Sequence, residues 1–490
     1  MDASSGIPIY RRLVQRIASL ILACSPLALV ALAPNSGICQ QTARAPNIVL
    51  IVADDLGWGD LGCYGHPRHK TPQLDRLAAD GARLTRFNTP APFCAPTRAA
   101  LLTGRYPARC RLMANPTPDA GKEADGRHLP ESETLLPQLL RQAGYATCMV
   151  GKWHLGHRRT EWWPTRRGFD EYLGILYSND MRPVQRVDGE KVVEYPLVQA
   201  TLTERYTQRA IAFIQRNHER PFFLYLAHAM PHKPLACSES FYRQSGCGLY
   251  GDVIAELDSC IGRVLATLDE LKLAENTLVI FTSDNGPWYG GSTGGLRGMK
   301  GTSWEGGCRV PCLVRWRGKV RSGTVCDTLA VTMDLFTTTL AAADVKLPGD
   351  LVIDGRNLLP ALSANAPSLH DVILGQQGSR LATIQDSRWK LHVLPQATPA
   401  EPRPDEEARD PRAPDGVTIL APYEQATRRE YPGVRSGDET GAMSLFDLER
   451  DPGEQHDVAR EHPDVVALLR ARFEEMAREL ALRQTEPPAK

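Results

Sequence analysis

The sequence predicts an α/β protein with a large mixed, mostly parallel sheet, followed by a smaller α+β domain with an antiparallel sheet. Continuous apolar runs end abruptly in polar residues, and helical patterns lie between these runs. Apolar runs without alternation are typical of strands buried on both faces of a parallel sheet, and alternating strands and helices indicate an open α/β sheet. From about residue 371 the segments become shorter and more alternating. We therefore expect an α/β domain over 46–370 and an α+β domain over 371–490.

Residues 1–45 are expected to form a signal peptide and a short leader. Arginines between Arg11 and Arg16 precede the uncharged apolar run Ile17–Ala33, the order found in secretory signals. A single membrane anchor is the alternative, but this run contains a proline and is short for a bilayer span. We therefore expect export to the periplasm or the extracellular space, with no stable membrane span after cleavage.

Four apolar runs form the skeleton of the predicted sheet, and each ends in polar residues that can do chemistry. In open α/β sheets, ligands bind beyond the carboxyl ends of the strands, so the four polar clusters should face one site. The runs and their polar ends are Ile48–Ala53 before Asp54 and Asp55, Thr147–Val150 before Lys152 and His154, Phe222–Ala227 before His228 and His232, and Leu278–Thr282 before Asp284 and Asn285.

Helical spacing predicts helices over Thr134–Ala143 and Tyr250–Leu271, between these runs, and an amphipathic closing helix over Asp464–Leu482. Alternating segments predict antiparallel strands over Arg388–Val393 and Ser444–Leu448. Ala397–Gly416 is dense in Pro and charged residues, which predicts a solvated loop.

The overall composition limits the possible partners. Hydrophobic residues make up 42% and charged residues 23%, and 57 basic residues balance 57 acidic ones. These values are those of a soluble globular protein and give no global electrostatic reason to bind nucleic acid. Any recognition of anions must come from a local pocket.

Twelve cysteines show no CxxC pair and no zinc-ligand spacing, so structural zinc is not expected. In an exported chain some cysteines should form disulfides, although the sequence does not fix their connectivity. Cys237 and Cys247 form the local pair whose loop is easiest to close.

Adjacent carboxylates at the end of a buried strand indicate a cation site. Asp54 and Asp55 would be costly to bury without a compensating cation, and Asp284 and Asn285 add two oxygen ligands at the end of another strand. Four oxygen ligands without His or Cys favour Ca²⁺ or Mg²⁺ over zinc. Taken singly, the aspartate pair also fits a solvated loop, and Asp-Asn-Gly a turn. Their common place on one sheet edge favours the metal site.

An Ala/Leu-rich helix is predicted to begin at Cys94 and to stop at Gly104. A helix N-terminus favours anions, which makes Cys94 and Arg98 candidate site residues; a buried cysteine before a helix is the alternative. The longer pattern Cys-x-Pro-x-Arg-x-x-x-Leu-Thr-Gly-Arg, which ends at Arg105, favours the site. It resembles the maturation signature of the type I sulfatases, with Thr97 where the commonest form has serine.

The resemblance covers nearly the whole chain after the leader and implies an alkaline-phosphatase-like fold. It implies that a formylglycine-generating maturation enzyme oxidises Cys94 to formylglycine during export, and that the hydrated aldehyde provides the nucleophilic hydroxyl. Arg98 matches the arginine that holds the formylglycine. One Ca²⁺ per chain would be bound by Asp54, Asp55, Asp284, Asn285 and the modified Cys94.

Other segments match the family's active-site motifs in the same order along the chain. His232 matches the histidine near the leaving group because of its His-x-Pro context, and His228 is its closest rival. The resemblance implies that the remaining catalytic residues are Lys152, His154, Ser178, His232 and the sulfate-binding Lys300.

The tail Leu-Phe-Asp-Leu-Glu-Arg-Asp-Pro-Gly-Glu, residues 445–454, resembles the family's C-terminal strand and turn. Within the family the resemblance is closest to arylsulfatases and N-acetylgalactosamine-6-sulfatases. It implies hydrolysis of a sulfate ester, on a sulfated carbohydrate or another small sulfated molecule. Two alternatives stay open: a phosphate or phosphonate monoester hydrolase of the same fold, and a non-catalytic protein that binds sulfated glycans.

Overall fold

A computed structural model describes residues 44–117, 127–181, 184–288, 290–347, 349, 351–362, 368–396 and 436–482. The expected signal peptide up to residue 43 and the predicted solvated loop Ala397–Gly416 lie outside these residues. Within them, no helix is long and apolar enough to cross a membrane.

The secondary-structure elements follow the predicted order. The helices are α1 (Pro72–Ala79), α2 (Cys94–Thr103), α3 (Leu136–Gln142), α4 (Leu202–Arg216), α5 (Gly248–Glu270), α6 (Glu305–Cys308), α7 (Asp334–Ala342) and α8 (Pro463–Leu482). The strands are β1 (Asn47–Ala53), β2 (Ala82–Leu84), β3 (Phe87–Asn88), β4 (Ala146–Lys152), β5 (Glu171–Ile175), β6 (Arg186–Asp188), β7 (Lys191–Glu194), β8 (Phe222–Ala227), β9 (Thr277–Ser283), β10 (Cys312–Arg315), β11 (Thr324–Cys326), β12 (Ala330–Val331), β13 (Ile373–Gln377), β14 (Arg380–Gln385), β15 (Trp389–His392) and β16 (Ser444–Asp447).

Ten strands form one mixed sheet in the order β11-β2-β10-β9-β1-β8-β4-β5-β6-β7. The central strands β9, β1, β8, β4 and β5 are parallel, whereas β10, β6 and β7 pair antiparallel to their neighbours. Val52 of β1 lies opposite both Ala227 of β8 and Thr282 of β9, so these strands end at the same edge. The predicted large mixed sheet is confirmed.

Burial on both faces explains why the central strands read as continuous apolar runs. Along β1, Ile48, Leu50 and Val52 belong to one core cluster, while the alternate residues Val49 and Ile51 belong to the cluster on the opposite face. Successive side chains of a strand point to opposite faces, so a strand covered on both sides needs apolar residues at every position.

The three predicted helices are present as α3, α5 and α8, and no end is shifted by more than two residues. The helix predicted from Cys94 is α2. Its end is fixed by Gly104, which adopts a left-handed conformation with φ 70° and donates its N–H to the carbonyl of Ala100. Glycine is favoured at this position because it has no Cβ to clash.

A second sheet of four antiparallel strands, β13-β14-β15-β16, follows the large sheet and confirms the predicted C-terminal α+β region. The strands β15 and β16 lie where alternation predicted them. Helix α8 packs its apolar stripe on this sheet, with Leu469 and Phe473 in the same cluster as Leu391 of β15 and Leu445 of β16.

The expectation that some cysteines form disulfides is not met among the described residues, where all ten cysteines carry free thiols, Cys237 and Cys247 included. Cys237 is buried in the core cluster that covers one face of the large sheet, whereas Cys247 is half-buried directly before α5. The two residues are therefore near in sequence but lie in different environments.

Candidate active site

The carboxyl ends of four central strands bring the predicted polar clusters to one edge of the large sheet. Asp54 and Asp55 follow β1, and Asp284 and Asn285 follow β9. Lys152 is the last residue of β4, and β8 leads through a short segment to His232. All of these side chains are buried. The structure therefore brings together residues that are up to 231 positions apart in the chain.

Helix α2 points its N-terminus at these carboxylates. The thiol of Cys94, the first helical residue, lies 3.3 Å from Asp54 Oδ1. Arg98 follows one turn later, where its Nη2 lies 2.8 Å from Asp284 Oδ2 and its Nη1 donates to the carbonyl of Lys152 at 2.7 Å. Residues four apart lie on the same face of a helix, so the spacing Cys-x-x-x-Arg aims both side chains at one point.

Burial raises the pKa of the Cys94 thiol well above its usual value, and the nearby Asp284 and Asp54 raise it further. The unmodified side chain is therefore a protonated thiol and not an activated thiolate, which is the nucleophilic form of cysteine. Conventional thiolate chemistry at Cys94 is disfavoured by this surrounding of carboxylates.

The carboxylates and the asparagine have the chemistry of a site for a hard cation. Asn285 donates its Nδ2 to Asp55 Oδ1 at 2.7 Å, which leaves its buried Oδ1 without a hydrogen-bond partner among the described residues. Burial raises the pKa of Asp55 and of Asp284, although the neighbouring lysine or arginine opposes the shift. An unpaired amide oxygen beside under-compensated carboxylates fits an oxygen-liganded Ca²⁺ or Mg²⁺.

Potential ligand atoms of Asp54, Asp55, Cys94 and His232 all lie within 4.8 Å of one another. His232 therefore lies next to the predicted metal ligands, whereas the resemblance described it only as near the leaving group. The predicted ligands offer the donor chemistry of this cation, and three of them, Asp54, Asp55 and Cys94, lie close enough together to share one.

Two lysines and a serine complete a polar ring around the carboxylates. Lys152 Nζ lies 2.5 Å from Asp54 Oδ2 and donates to Ser178 Oγ at 3.1 Å. Lys300 Nζ lies 2.7 Å from Asp55 Oδ1. Burial alone would lower the pKa of both lysines, but the carboxylates outweigh it and raise both values, so both lysines are cationic.

His232 is connected to this ring through Ser178 Oγ, which lies 3.3 Å from its Nε2. Its Nδ1 lies 2.5 Å from the carbonyl of Lys233, which can only accept, so Nδ1 carries a proton. Burial and the charges of Lys300 and Lys152 lower the pKa of His232 well below its usual value. The ring is then neutral, with the Nε2 lone pair facing the site.

His154 reaches the site from the segment after β4, and its backbone adopts a left-handed conformation with φ 61°. Its Nε2 contacts the carbonyl of Pro116 at 3.0 Å, and its buried Nδ1 has no hydrogen-bond partner among the described residues. Since the carbonyl accepts a hydrogen bond, Nε2 carries the proton and Nδ1 presents a lone pair.

The rival histidine, His228, makes no hydrogen bond through either ring nitrogen among the described residues, and burial lowers its pKa to about 3. His232, by contrast, contacts Ser178 directly. The geometry therefore favours His232 over His228 for contact with a ligand.

Two loop residues near the site escaped sequence reasoning. Asn115 Oδ1 accepts the backbone N–H of Ala95 at 3.0 Å and so fixes the start of α2, and Pro116 orients His154. Neither residue lies in a recognisable motif, and the two lie adjacent to each other in a loop whose position depends on tertiary packing.

Comparison with known proteins identifies the family. The pattern of the sulfatase family matches residues 46–345. The N-acetylgalactosamine-6-sulfatase of Canis lupus familiaris is 40% identical over 382 residues, which are 71% of this chain and 72% of the relative. Human arylsulfatase A is 36% identical over 473 residues and 87% of each chain.

The chain belongs to the sulfatase family. The crystal structure of the sulfatase PsFucS1 from Pseudoalteromonas sp. superposes with a TM-score of 0.76 at 26% identity and covers 91% of this chain and 92% of that one. The fold expected from the resemblance to type I sulfatases is therefore confirmed, as is the membership itself. This sulfatase is a sulfuric ester hydrolase, so the predicted reaction class is also confirmed.

Proposed function

We propose that this sulfatase hydrolyses a sulfate ester on a sulfated carbohydrate, with a formylglycine made from Cys94 as its nucleophile and one bound Ca²⁺. The observation that carries the proposal is the position of Cys94. Its side chain lies at the N-terminus of α2, 3.3 Å from Asp54, in a ring that also contains Arg98, Lys152 and Lys300.

Three buried cations in this ring match the needs of a sulfate ester. The ester carries its negative charge on the non-bridging oxygens, and negative charge grows on the bridging oxygen as the bond to sulfur breaks. Arg98, Lys152 and Lys300 offer fixed N–H donors to these oxygens in a site from which water is excluded. Preorganised donors of this kind contribute more to catalysis than donors in water, because they need no reorganisation.

Proton transfers fall to Asp284, His154 and His232. Asp284 lies beside Arg98 and is suited to accept the proton of the attacking hydroxyl. The Nδ1 lone pair of His154 is suited to take the proton of the second hydroxyl of the aldehyde hydrate. The hydrated aldehyde supplies one hydroxyl that attacks sulfur and a second whose deprotonation expels sulfate.

His232 and Lys300 share the task at the leaving group. His232 presents Nε2 toward Ser178 and toward Asp55 Oδ2, the oxygen to which Lys300 donates at 2.8 Å. An incoming anion favours protonation of His232 Nε2, because it offsets the lysine charges that depress the pKa of this ring. The protonated ring can then donate to the departing alkoxide.

A Ca²⁺ ion would be held by Asp54, Asp55, Asp284, Asn285 and the modified side chain of residue 94. Bound there, the ion would polarise the sulfate group and stabilise its developing charge. The unpartnered Oδ1 of Asn285 and the raised pKa values of Asp55 and Asp284 support this assignment.

A sulfated sugar is the proposed substrate because one relative is named for N-acetylgalactosamine-6-sulfate and is 40% identical. The proposal also includes export to the periplasm or extracellular space and a maturation enzyme that modifies Cys94 on the way. Its support is the basic and apolar pattern before residue 43 and the Cys-x-Pro-x-Arg motif from Cys94 to Arg98.

Turnover of paired esters tests the proposal. The purified enzyme is given the sulfate ester and the phosphate ester of the same alcohol, and a panel of sulfated monosaccharides. We expect release of inorganic sulfate, with the phosphate ester hydrolysed far more slowly. A preference for the phosphate ester would replace the proposal by the phosphatase alternative. Binding of sulfated sugars without release of sulfate would favour the non-catalytic alternative.

A further inference from the structure

The segment that carries Lys300 has little regular structure to hold it. Lys300 lies between Gly298 and Gly301, which both adopt left-handed conformations, with φ 81° and 87°. Glycine has more conformational freedom than other residues, so this segment gains little rigidity from its own backbone. The N–H groups of Lys300 and Gly301 donate to the carbonyls of Pro287 and Pro92, at 3.0 Å each, and the base of the segment must be fixed by another part of the molecule.

The segment forms a closed loop, and we call its base, residue 297 and residues 304–306, the neck. The N–H of Gly306 donates to the carbonyl of Arg297 at 2.7 Å, so residues 297–306 leave and return at one point. The guanidinium of Arg297 lies 3.9 Å above the ring of Trp304, which holds the two sides of the neck together.

Glu454, in the C-terminal region, forms hydrogen bonds with both sides of this neck. Its backbone carbonyl accepts from Arg297 Nη1 at 2.9 Å, and its Oε2 accepts the backbone N–H of Glu305 at 2.5 Å. One residue therefore contacts the chain three positions before Lys300 and five positions after it. Glu454 is also the last residue of the C-terminal motif 445–454, to which the reaction assigns no role.

A buried ion network holds Glu454 in place. Its Oε1 lies 2.6 Å from His392 Nε2 and 3.3 Å from Lys390 Nζ, both on β15. Lys390 Nζ also lies 2.9 Å from Glu305 Oε1, and Arg309 Nε lies 2.6 Å from Glu305 Oε2. Two carboxylates thus face two permanent cations, and Glu305, Lys390 and Glu454 are each at most 2% exposed.

We propose that Glu454 is a positioning residue for Lys300. Through Glu454, the C-terminal sheet helps to set the geometry of the active site. The inference rests on the proposed role of Lys300 in binding sulfate. Removing the charge of Glu454 leaves Lys390 under-compensated in a buried place, which is strongly unfavourable. The neck can then shift, and Lys300 moves with it relative to Asp55.

The effect on the reaction should be substantial, because a displacement of about 1 Å in an active site can cost up to about 100-fold in rate. We expect Glu454→Gln to lower kcat/KM by 10- to 100-fold on this ground. The matched control is Arg388→Gln, which removes the ion pair of Arg388 with Asp447 in the same sheet without touching the loop. This control should keep wild-type kcat/KM.

A double-mutant cycle with Lys300→Ala separates positioning from general damage. If Glu454 acts through Lys300, Glu454→Gln has little further effect on kcat/KM in the Lys300→Ala background. Equal losses in both backgrounds would overturn the inference, because a structural defect acts whether or not Lys300 is present.

Hydrogen exchange tests the inference without any turnover. Backbone amides of residues 296–308 should exchange faster in Glu454→Gln than in the wild type and in Arg388→Gln. Unchanged exchange in this segment would overturn the inference. If the wild type releases no sulfate, the proposed function fails while the exchange measurement still decides the positioning role. Should Glu454→Gln not fold, Lys390→Met breaks the same network and is measured in its place.

Discussion

Two clusters of buried charge lie near the segment that carries Lys300, and the pKa values of their carboxylates are shifted in opposite directions. At the sheet edge, burial outweighs the neighbouring cations, so the pKa values of Asp55 and Asp284 are raised. In the network of Glu305, Lys390 and Glu454, burial opposes the shift, but Lys390 and Arg309 outweigh it and lower the pKa of Glu305 to about 2. In the first cluster Arg98, Lys152 and Lys300 do not offset the cost of burying the carboxylates, whereas in the second cluster Lys390 and Arg309 do. The first is therefore suited to bind a cation and a reacting group, and the second to hold a structure in place.

The largest expected effect comes from the nucleophile position. Cys94→Ala should lower kcat by about 10³-fold or more, since loss of a catalytic nucleophile in other enzymes costs at least this much. The midpoint of thermal unfolding should change little. Cys110→Ala is the matched control, because this equally buried cysteine packs in the apolar core and donates to the carbonyl of Pro107. Activity near that of the wild type in Cys94→Ala would show that residue 94 is not the nucleophile.

The two buried histidines after β8 should differ sharply. His232→Ala is expected to lower kcat by about 10²- to 10⁴-fold, the usual contribution of a general acid. His228→Leu should leave kcat unchanged and stability nearly unchanged, because its ring nitrogens make no hydrogen bond among the described residues. Steady-state kinetics and thermal unfolding of both variants check this. A large loss of kcat in His228→Leu alone would reverse the assignment.

The network of Glu305, Lys390 and Glu454 should contribute less to stability in acid. The folded-state pKa of Glu305, about 2, lies below its value of 4.5 in the unfolded chain, so its carboxylate contributes stability above pH 4.5. That contribution, about 3 kcal/mol, is lost as the pH falls from 4.5 through 2. Urea unfolding at pH 7, 5 and 3 should show Glu305→Gln less stable than the wild type at pH 7 and 5, with a smaller difference at pH 3. A difference independent of pH would contradict the ionic role.

Calcium removal should affect only the sheet-edge cluster. With Ca²⁺ at about 100 times its dissociation constant, chelation should lower the free energy of unfolding by about 3 kcal/mol. Asn285→Ala should weaken this response, whereas Glu305→Gln should retain it. Thermal unfolding with and without chelator measures both. An identical calcium response in wild type and Asn285→Ala would remove Asn285 from the ligand set.

The sheet-edge cluster could be predicted from sequence because its members follow apolar strands directly. Asp54, Lys152 and Asp284 each come at or just after the end of a buried run, and parallel strands bring such ends together. Motif resemblance then added Cys94 and Lys300, which the topology alone would not have placed.

The second cluster could not be predicted, because no local pattern indicates that its members meet, even though Glu454 ends the C-terminal motif. Lys390 lies in an alternating strand and Glu305 in a glycine-rich segment, where each is an ordinary charged residue. Their partner Glu454 is 149 positions from Glu305, and only the packing of the two sheets joins them. The expectation of disulfides among the described cysteines was wrong for a related reason, since neither export nor short sequence separation, as between Cys237 and Cys247, fixes where two side chains lie.

Mass spectrometry of the tryptic peptide containing Cys94 tests the central claim most directly. The protein is made in a host that carries the maturation enzyme, and a second sulfatase is converted in the same host as a control. We expect an aldehyde at residue 94, with one sulfur and two hydrogens lost and one oxygen gained relative to cysteine. An unmodified thiol at Cys94, beside a fully converted control, would contradict the account and point to Thr97 as the position that blocks conversion.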